Sequence, residues 1–239
     1  MHSARRYPAL VVVALLVLMG TASAATITGT IKFEGSAPKL KPIDMKSEPK
    51  CATKHGGPVP SEVLVLGAGN TLANVFVRVK SGLADKQYPS PEEPVILDQN
   101  GCRFEPHVMT VMPDQPIKIR NSDDILHNVH PLPKVNKQFN LAMPGASAIK
   151  EITKSFSREE AVFKVTCDVH SWMTAYIAVT SHPFFDVTEK DGKFTIENLP
   201  AGTYEIELWH ERLKTKTATV TVAEGDTKTV DLTFSRPSR

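Results

Sequence analysis

The sequence predicts an all-β protein, and three observations support this fold class. Short runs rich in Val and Ile alternate apolar with polar residues, and most of them end at Gly, Pro, Asn or Asp. Alternation with a period of two between turn residues is typical of half-buried strands in a β-sandwich. Helical periodicity is weak: the sequence offers one short helical turn at residues 157–161, and residues 39–50 are a predicted proline-rich loop.

Two predicted strands show the alternation most clearly. Ile117 and Ile119 alternate with basic residues, and Phe163, Val165 and Cys167 alternate with Lys and Thr. Because successive side chains of a strand point to opposite faces, each of these sets should face a core. We therefore expect the Cys167 side chain to point inward at the end of its strand.

The chain divides into three predicted segments, residues 1–24, 25–181 and 182–239. The last segment has a four-stranded antiparallel pattern, with one pair of strands in residues 192–210 and another in residues 217–234. A sheet of this size is marginal on its own, so we expect it to pack on the preceding domain.

The first 24 residues have the composition of an export signal. Arg5 and Arg6 precede an apolar run, and residues 22–24 form a small-residue site suited to cleavage before Ala25. The apolar run is short for a bilayer about 30 Å thick, so a cleaved signal is favoured over a membrane anchor. We therefore expect a periplasmic or secreted protein with no membrane span in the mature chain.

The charge balance excludes one class of partner. The chain has 28 Lys and Arg against 26 Asp and Glu, and the predicted signal holds two of the arginines and no acidic residue. The remaining chain, about 215 residues long, is therefore balanced in charge and long enough for one large or two small domains. A balanced charge is not the electrostatic footprint of a nucleic-acid-binding protein.

The sequence has three cysteines, and an oxidising compartment favours pairing. Cys51 and Cys102 lie in turn-rich segments, whereas Cys167 lies at the end of a predicted strand near His170. Sequence alone does not fix the pairing. We predict a disulfide between Cys51 and Cys102, which leaves Cys167 free to bind a metal.

A thiol, an imidazole and a thioether follow one another at intervals of three residues, as Cys167, His170 and Met173. His127 comes about 40 residues earlier, after a predicted strand. Two histidines, one cysteine and a weak methionine ligand are the set that blue-copper sites use. The pattern predicts one mononuclear copper, with Cys167 bound as the thiolate.

The segments LHNVH and CDVHSWM resemble cupredoxins, especially the amicyanin-like and plastocyanin-like blue copper proteins, over roughly residues 105–180. This resemblance implies a Greek-key β-sandwich and a type 1 site in which His127, Cys167, His170 and Met173 bind copper. It further implies that Asn128 ties the two ligand loops together. The segment DGKFTIENLPAGTYEIEL resembles carboxypeptidase-regulatory-like and transthyretin-like β-domains, so a small antiparallel β-sandwich is expected to follow the first.

These expectations describe an electron carrier rather than an enzyme. The copper would cycle between Cu(I) and Cu(II), and the partner would be a redox protein such as a c-type cytochrome or a periplasmic oxidoreductase. Electrons would leave through an exposed edge of His170 beside Trp172, which forms a docking patch or packs over the site. Two alternatives stay open: copper binding and delivery, and a cell-surface interaction module with an incidental copper site.

Other histidines and methionines are assigned simpler roles. His130 is expected to face solvent or a partner rather than the metal. The alternation around His107, Met109 and Met112 favours core packing over a second copper site. His210 is in register with apolar strand residues and is expected to be satisfied by a hydrogen bond, with a second role as the alternative.

Overall fold

The structure is a computed structural model that describes residues 23–145 and 151–236. Almost all of the predicted export signal, residues 1–22, lies outside the described residues. The described chain is all-β, as predicted. Among its helices, none has the length and apolar character needed to cross a membrane.

Seventeen strands, one α-helix and one 3₁₀ turn form the regular structure of the described residues. They are β1 (Ala25–Phe33), α1 (Pro49–Thr53), the 3₁₀ turn (Ala68–Asn70), β2 (Phe76–Ser81), β3 (Val95–Gln99), β4 (Phe104–Glu105), β5 (Val108–Val111), β6 (Ile117–Asn121), β7 (His127–Pro131), β8 (Leu141–Met143), β9 (Glu151–Lys154), β10 (Glu160–Thr166), β11 (Thr174–Val179), β12 (Phe185–Val187), β13 (Lys193–Leu199), β14 (Gly202–His210), β15 (Lys214–Val222), β16 (Thr227–Thr229) and β17 (Leu232–Phe234).

The described helix lies where the sequence predicted a loop. A proline stands at the start of α1, where its missing N–H costs nothing. The helical turn predicted at residues 157–161 is wrong, since Glu160 begins β10. The Glu160 carboxylate accepts hydrogen bonds from the main-chain N–H groups of Val135 (3.0 Å) and Asn136 (2.9 Å), and these bonds fix the segment against a neighbouring loop.

The first β-sandwich contains the segment that carries the predicted metal ligands. One sheet has the order β5-β11-β10-β7-β8, and the other has the order β4-β3-β6-β9. The apolar faces predicted from alternation do point inward: Ile117, Ile119, Phe163, Val165 and Cys167 are all buried in one core. Burial of such side chains is the main favourable term in folding, at about 25 cal/mol per Å² of apolar surface.

A second β-sandwich packs around a separate core. One of its sheets has the order β12-β2-β14-β15, and the other joins β13, β1, β16 and β17. Its core includes Ile27, Val77, Phe194, Ile206 and Phe234. Most strand pairs are antiparallel, but β1 runs parallel to both β16 and β17.

The sheets cross the predicted boundary near residue 181. Both β1 and β2 precede that boundary, yet β1 pairs with β13, β16 and β17, and β2 pairs with β12 and β14. The boundary itself remains a prediction. What the structure shows is that the second sandwich is completed by two strands from the early part of the chain.

One glycine has a structural role where β1 changes partners. Residues 26–28 of β1 pair with β16, and residues 31–33 pair with β17. A Cβ atom on Gly29 would lie 2.0 Å from the main-chain oxygen of Val230, in the link between those two strands. Only glycine allows this close approach of the two backbones.

The two sandwiches meet through a small apolar cluster. Phe76 of β2, Val108 of β5 and Ala178 of β11 are buried together, with Trp209 of β14 packed against them. Close to this junction, His107 Nε2 lies 2.5 Å from Glu211 Oε1, so that a polar contact accompanies the apolar one.

Candidate metal centre

The strand register brings the two ligand segments together. β7 and β10 run antiparallel, with His130 opposite Thr166. In an antiparallel pair, moving backwards along one strand corresponds to moving forwards along the other. The start of β7, at His127, therefore lies beside residues 167–173, which follow β10.

Three of the predicted ligands form one buried cluster. One donor atom from each of His127, Cys167 and His170 lies within 4.8 Å of the other two. The two histidine Nδ1 atoms are 2.9 Å apart, and Cys167 Sγ is 3.9 Å from His170 Nδ1. One thiol and two imidazole nitrogens that converge in this way suit copper, which accepts both soft sulfur and imidazole ligands.

Met173 ends the loop that carries Cys167 and His170, and main-chain hydrogen bonds tie it to both residues. The Cys167 N–H donates to the main-chain oxygen of Met173 at 3.3 Å, and the Met173 N–H donates to the main-chain oxygen of His170 at 2.9 Å. The Met173 side chain is buried in the same core as Cys167. The structure thus brings the fourth predicted residue to the site, and its thioether bond to copper remains a prediction.

The His127 ring is oriented by a carboxylate. Its Nε2–H donates to Asp123 Oδ2 at 2.9 Å, and His127 is fully buried. A neutral imidazole that carries its proton on Nε2 has a free lone pair on Nδ1. That lone pair faces His170 and Cys167, which is the orientation that a metal ligand needs.

Asp123 is itself held by several donors. The main-chain N–H of Gly101 donates to its Oδ1 at 2.9 Å, that of Cys102 donates to its Oδ2 at 2.8 Å, and Lys54 Nζ lies 3.2 Å from Oδ1. Burial alone would raise the pKa of Asp123. The hydrogen bonds from His127, the main chain and Lys54 outweigh burial and hold the pKa well below its ordinary value.

Asn128 links the two ligand segments by hydrogen bonds. Its Oδ1 accepts from the N–H of Asp168 at 2.6 Å and from the N–H of Val169 at 3.3 Å, and it lies 3.3 Å from Cys167 Sγ. Its Nδ2 donates to Asn140 Oδ1 at 2.7 Å. The side chain therefore lies where the resemblance placed it, between the start of β7 and the loop after β10.

The environment favours the thiolate form of Cys167. Burial alone would raise the pKa of the thiol, but hydrogen bonds with His127 and with main-chain groups of the loop lower the pKa. For His127 the signs are opposite: burial alone would lower the pKa of the imidazole, but its hydrogen bonds with Asp123 and Cys167 raise this pKa. For His170, burial lowers the pKa, and the nearby charge of His127 lowers it further.

The expectation of an exposed His170 edge is wrong, because the His170 side chain is buried and the residue is only 2% exposed. Met45, Cys51 and Val59 pack into the core that contains the ligands, and Trp172 packs against that core. The ring centroids of His170 and Trp172 are 5.1 Å apart. The segment before β2, which looks like a loop in the sequence, thus helps to shield this end of the sandwich.

The disulfide between Cys51 and Cys102 is present, as predicted, and Cys167 is a free, buried cysteine. The disulfide joins α1 to the loop between β3 and β4. That loop also accepts a hydrogen bond from Trp172, whose Nε1–H donates to the main-chain oxygen of Cys102 at 3.1 Å. The covalent link therefore attaches the covering segment to the residues beside the predicted metal ligands.

The remaining predicted residues lie away from the cluster. The His130 side chain is partly exposed and pairs with Asp168 at 3.2 Å. Met109 and Met112 are buried, while His107 lines a cavity. His210 is buried and accepts a hydrogen bond from the main-chain N–H two residues on (3.2 Å), and burial lowers its pKa to about 4.

Sequence reasoning missed Asp123 and Lys54. Both stand in polar stretches, where acidic and basic residues are ordinary surface groups. One signal was available: Asp123 precedes the predicted ligand His127 by four residues, and ligand histidines commonly donate their second N–H to a carboxylate. Lys54 carried no such signal, because its contact depends on the fold of α1.

Asp123→Asn is expected to weaken copper binding by about 10–100-fold, the usual effect of losing an outer partner of a ligand histidine. Asparagine keeps one oxygen that can accept the His127 Nε2–H bond, but its NH₂ group replaces an oxygen that now faces only donors. The negative charge is also lost, so His127 is held less firmly in its tautomer and orientation. Competition for copper against a chelator of known affinity measures the change.

Asp124→Asn is the matched control for this experiment. The Asp124 side chain is 74% exposed and also pairs with Lys54, at 2.8 Å, but among the described residues it makes no contact with His127. The Asp124→Asn variant should bind copper as tightly as the unmodified protein does. Equal losses of affinity in both variants would contradict the role assigned to Asp123.

Comparisons with known proteins agree with the two-part fold. A family model of the carboxypeptidase regulatory-like domain matches residues 174–235. A search of curated protein sequences gave no match. The matched residues include β11 of the first sandwich and all of β12 to β17, so they cover every strand of the second sandwich except β1 and β2.

Several solved structures of copper proteins are similar to part of the chain. Amicyanin from Paracoccus versutus is 16% identical, with a TM-score of 0.32, over 44% of this chain and 97% of its own. A purple cupredoxin from Nitrosopumilus maritimus is 18% identical, with a TM-score of 0.29, over 36% and 98%. A copper-containing nitrite reductase from Thermus scotoductus is 16% identical, with a TM-score of 0.32, over 43% of this chain and 26% of its own.

These likenesses concern the fold alone. The structure confirms the predicted all-β arrangement of two β-sandwiches, and the family model matches the segment predicted to form the carboxypeptidase regulatory-like domain. The chain also holds a His-Cys-His donor cluster in that sandwich.

Proposed function

We propose that this protein is an exported electron carrier with one type 1 copper ion. His127, Cys167 and His170 would hold the ion, with Met173 as a weak fourth ligand. The observation that carries the proposal is the convergence of three buried donor atoms within 4.8 Å of one another. When bound there, copper supplies one-electron chemistry, because thiolate and imidazole ligands accommodate both Cu(I) and Cu(II).

The burial of the cluster supports electron transfer over substrate chemistry. His127 is fully buried and His170 is 2% exposed, so neither histidine presents an open edge to a substrate. The loop after β10 is tied to β7 by Asn128, which holds the donors in place. Such a preset site changes little in geometry between oxidation states, and this favours electron transfer over bond chemistry.

Two exposed apolar side chains support a docking surface for the proposed redox partner. Leu126, next to His127, is 45% exposed, and Val169, next to His170, is 48% exposed. Large apolar side chains held in solvent beside a metal site suit a transient protein contact. We propose docking at these residues by a c-type cytochrome or a periplasmic oxidoreductase, with Trp172 packed beside His170 as an inner part of the route.

The test is the optical spectrum of the full exported chain during titration with Cu(II). A type 1 site gives an intense thiolate-to-copper band in the visible region, which should saturate at one copper per chain. A colourless complex, or a band that requires more than one copper, contradicts the proposal. Repeated reduction and reoxidation without loss of copper separates electron transfer from copper delivery, which requires release of the ion.

A further inference from the structure

The turn between β6 and β7 carries two residues that meet at the candidate metal centre. It leaves one sheet of the first sandwich at Asn121, the last residue of β6, and enters the other sheet at His127, the first residue of β7. Asp123 lies within this turn and accepts the His127 Nε2–H bond at 2.9 Å. The shape of the turn therefore determines how the Asp123 carboxylate meets the His127 ring.

The buried side chain of Asn121 holds this turn in shape. The residue is 8% exposed, and its Oδ1 accepts a hydrogen bond from the Asp123 N–H at 3.1 Å. Its Nδ2 donates to the main-chain oxygen of Ile125 at 2.9 Å. Together the two bonds join the end of β6 to the residues on either side of the middle of the turn.

A third bond ties the turn to the strand beside His127. The Asn121 Nδ2 group also donates to the main-chain oxygen of Met143 at 2.7 Å. Met143 is the cross-strand partner of His127 in the pairing of β7 with β8. One side chain thus binds both the residue that accepts from His127 and the residue that lies opposite His127.

Asparagine supplies the set of groups that these three bonds need. Its side-chain amide offers two N–H donors and one carbonyl acceptor in a single plane. An ionised aspartate of the same size has acceptors only, so it would face the main-chain oxygens of Ile125 and Met143 without a donor. All three bonds go to main-chain atoms, so Asn121 acts on the metal centre through the backbone of the turn.

We propose that Asn121 is a positioning residue for the copper site proposed above. By fixing the turn, it places Asp123 to receive the Nε2–H of His127. The Nδ1 lone pair of the same ring is then directed at the other donors of the cluster. The effect on copper rests on the proposed function, whereas the effect on the His127 ring concerns the protein alone.

Asn136 offers a matched control in the loop between β7 and β8. It is also 8% exposed, and its Nδ2 donates to the main-chain oxygen of Arg158 at 2.8 Å and to Glu160 Oε2 at 2.9 Å. Its Oδ1 accepts from the Arg158 N–H at 3.1 Å. Asn136 therefore makes two donated bonds and one accepted bond, as Asn121 does. Among the described residues, none of these bonds reaches the turn between β6 and β7.

Copper affinity, measured by competition against a chelator, should separate Asn121→Ala from Asn136→Ala. Asn121→Ala should bind copper about tenfold more weakly, at the lower end of the effect of losing an outer partner of a ligand histidine. Asn136→Ala should bind copper as tightly as the unmodified protein. Because Asn121 acts through Asp123, the double variant Asn121→Ala/Asp123→Asn should bind copper as Asp123→Asn alone does.

Three results of this competition experiment overturn the inference. They are equal affinity in Asn121→Ala and the unmodified protein, equal losses in Asn121→Ala and Asn136→Ala, and losses that multiply in the double variant. Urea unfolding checks that each variant is folded. If Asn121→Ala does not fold, Asn121→Ser takes its place, because a serine hydroxyl can still accept from the Asp123 N–H while both amide donors are lost.

The metal-free protein gives a second readout that does not need copper. The ¹⁵N signals of the His127 ring, recorded at a pH where the ring is neutral, should place the proton on Nε2 in the unmodified protein and in Asn136→Ala. In Asn121→Ala the proton should be shared between the two ring nitrogens. This change in a protein that binds no copper would contradict the proposed function and support the role of Asn121. Identical His127 signals in all three proteins overturn that role.

Discussion

Cys167→Ser is expected to abolish the visible thiolate-to-copper band of the copper-loaded protein. The band requires a sulfur-to-copper bond, and a serine hydroxyl neither ionises at neutral pH nor offers a soft donor. Serine fits the space of the buried thiol, so the fold should survive the change. Optical titration with Cu(II) measures the result, and urea unfolding of the metal-free variant checks that the fold is retained.

His127→Asn and His130→Asn form a matched pair for the same spectrum. Both histidines lie on β7, but only His127 faces Cys167 and His170, while His130 pairs with Asp168 at the surface. The band should be lost or strongly shifted in His127→Asn and kept in His130→Asn. A band that persists in Cys167→Ser, or one that depends on His130, would show that the copper lies elsewhere.

Removing the disulfide with Cys51→Ala and Cys102→Ala is expected to lower the free energy of unfolding by about 4 kcal/mol. The two cysteines are separated by 51 residues, and the chain-entropy model gives this value for a closed loop of that length. Native disulfides of exported proteins typically contribute about 2–5 kcal/mol. Urea unfolding of the metal-free double variant, with the unmodified chain under non-reducing conditions as reference, measures the loss.

The same double variant should loosen the cover over the metal centre. The disulfide attaches α1 to the loop that binds Trp172 and Asp123, so amide exchange in residues 48–55 should accelerate more than exchange in β14. Uniform acceleration in both regions would mean that the disulfide stabilises the whole fold without a specific effect on the cover. A change below about 1 kcal/mol would contradict the chain-entropy estimate.

The parts of this molecule that the sequence predicts well are those set by local chemistry. Alternation along β6 and β10 predicts which side chains enter the core, because strand geometry alone dictates it. The closeness of Cys167 and His170 can be predicted from their spacing, since both lie in the short loop that follows β10. His127 joins them through the pairing of β7 with β10.

The parts that the sequence does not reveal depend on contacts between distant residues. Nothing local shows that β1 belongs with strands near the end of the chain, because its alternation would fit either sandwich. The cover at this end of the sandwich is also non-local, since Met45, Cys51 and Val59 reach the core that holds Cys167 from a segment more than 100 residues earlier that appears as an ordinary polar loop. The role of Lys54 is hidden for the same reason, because Lys54 reaches Asp123 only when α1 has packed against the sandwich.

The placement of β1 makes the second sandwich depend on pairing between the first and the last described strands. Ile31 pairs with Leu232, so the earliest described strand must wait until the latest one is available. The first sandwich contains all its own strands, from β3 to β11, and can assemble sooner. Completion of the second sandwich is therefore expected to be the slow, final step, because pairing across so long an intervening chain carries a high entropic cost.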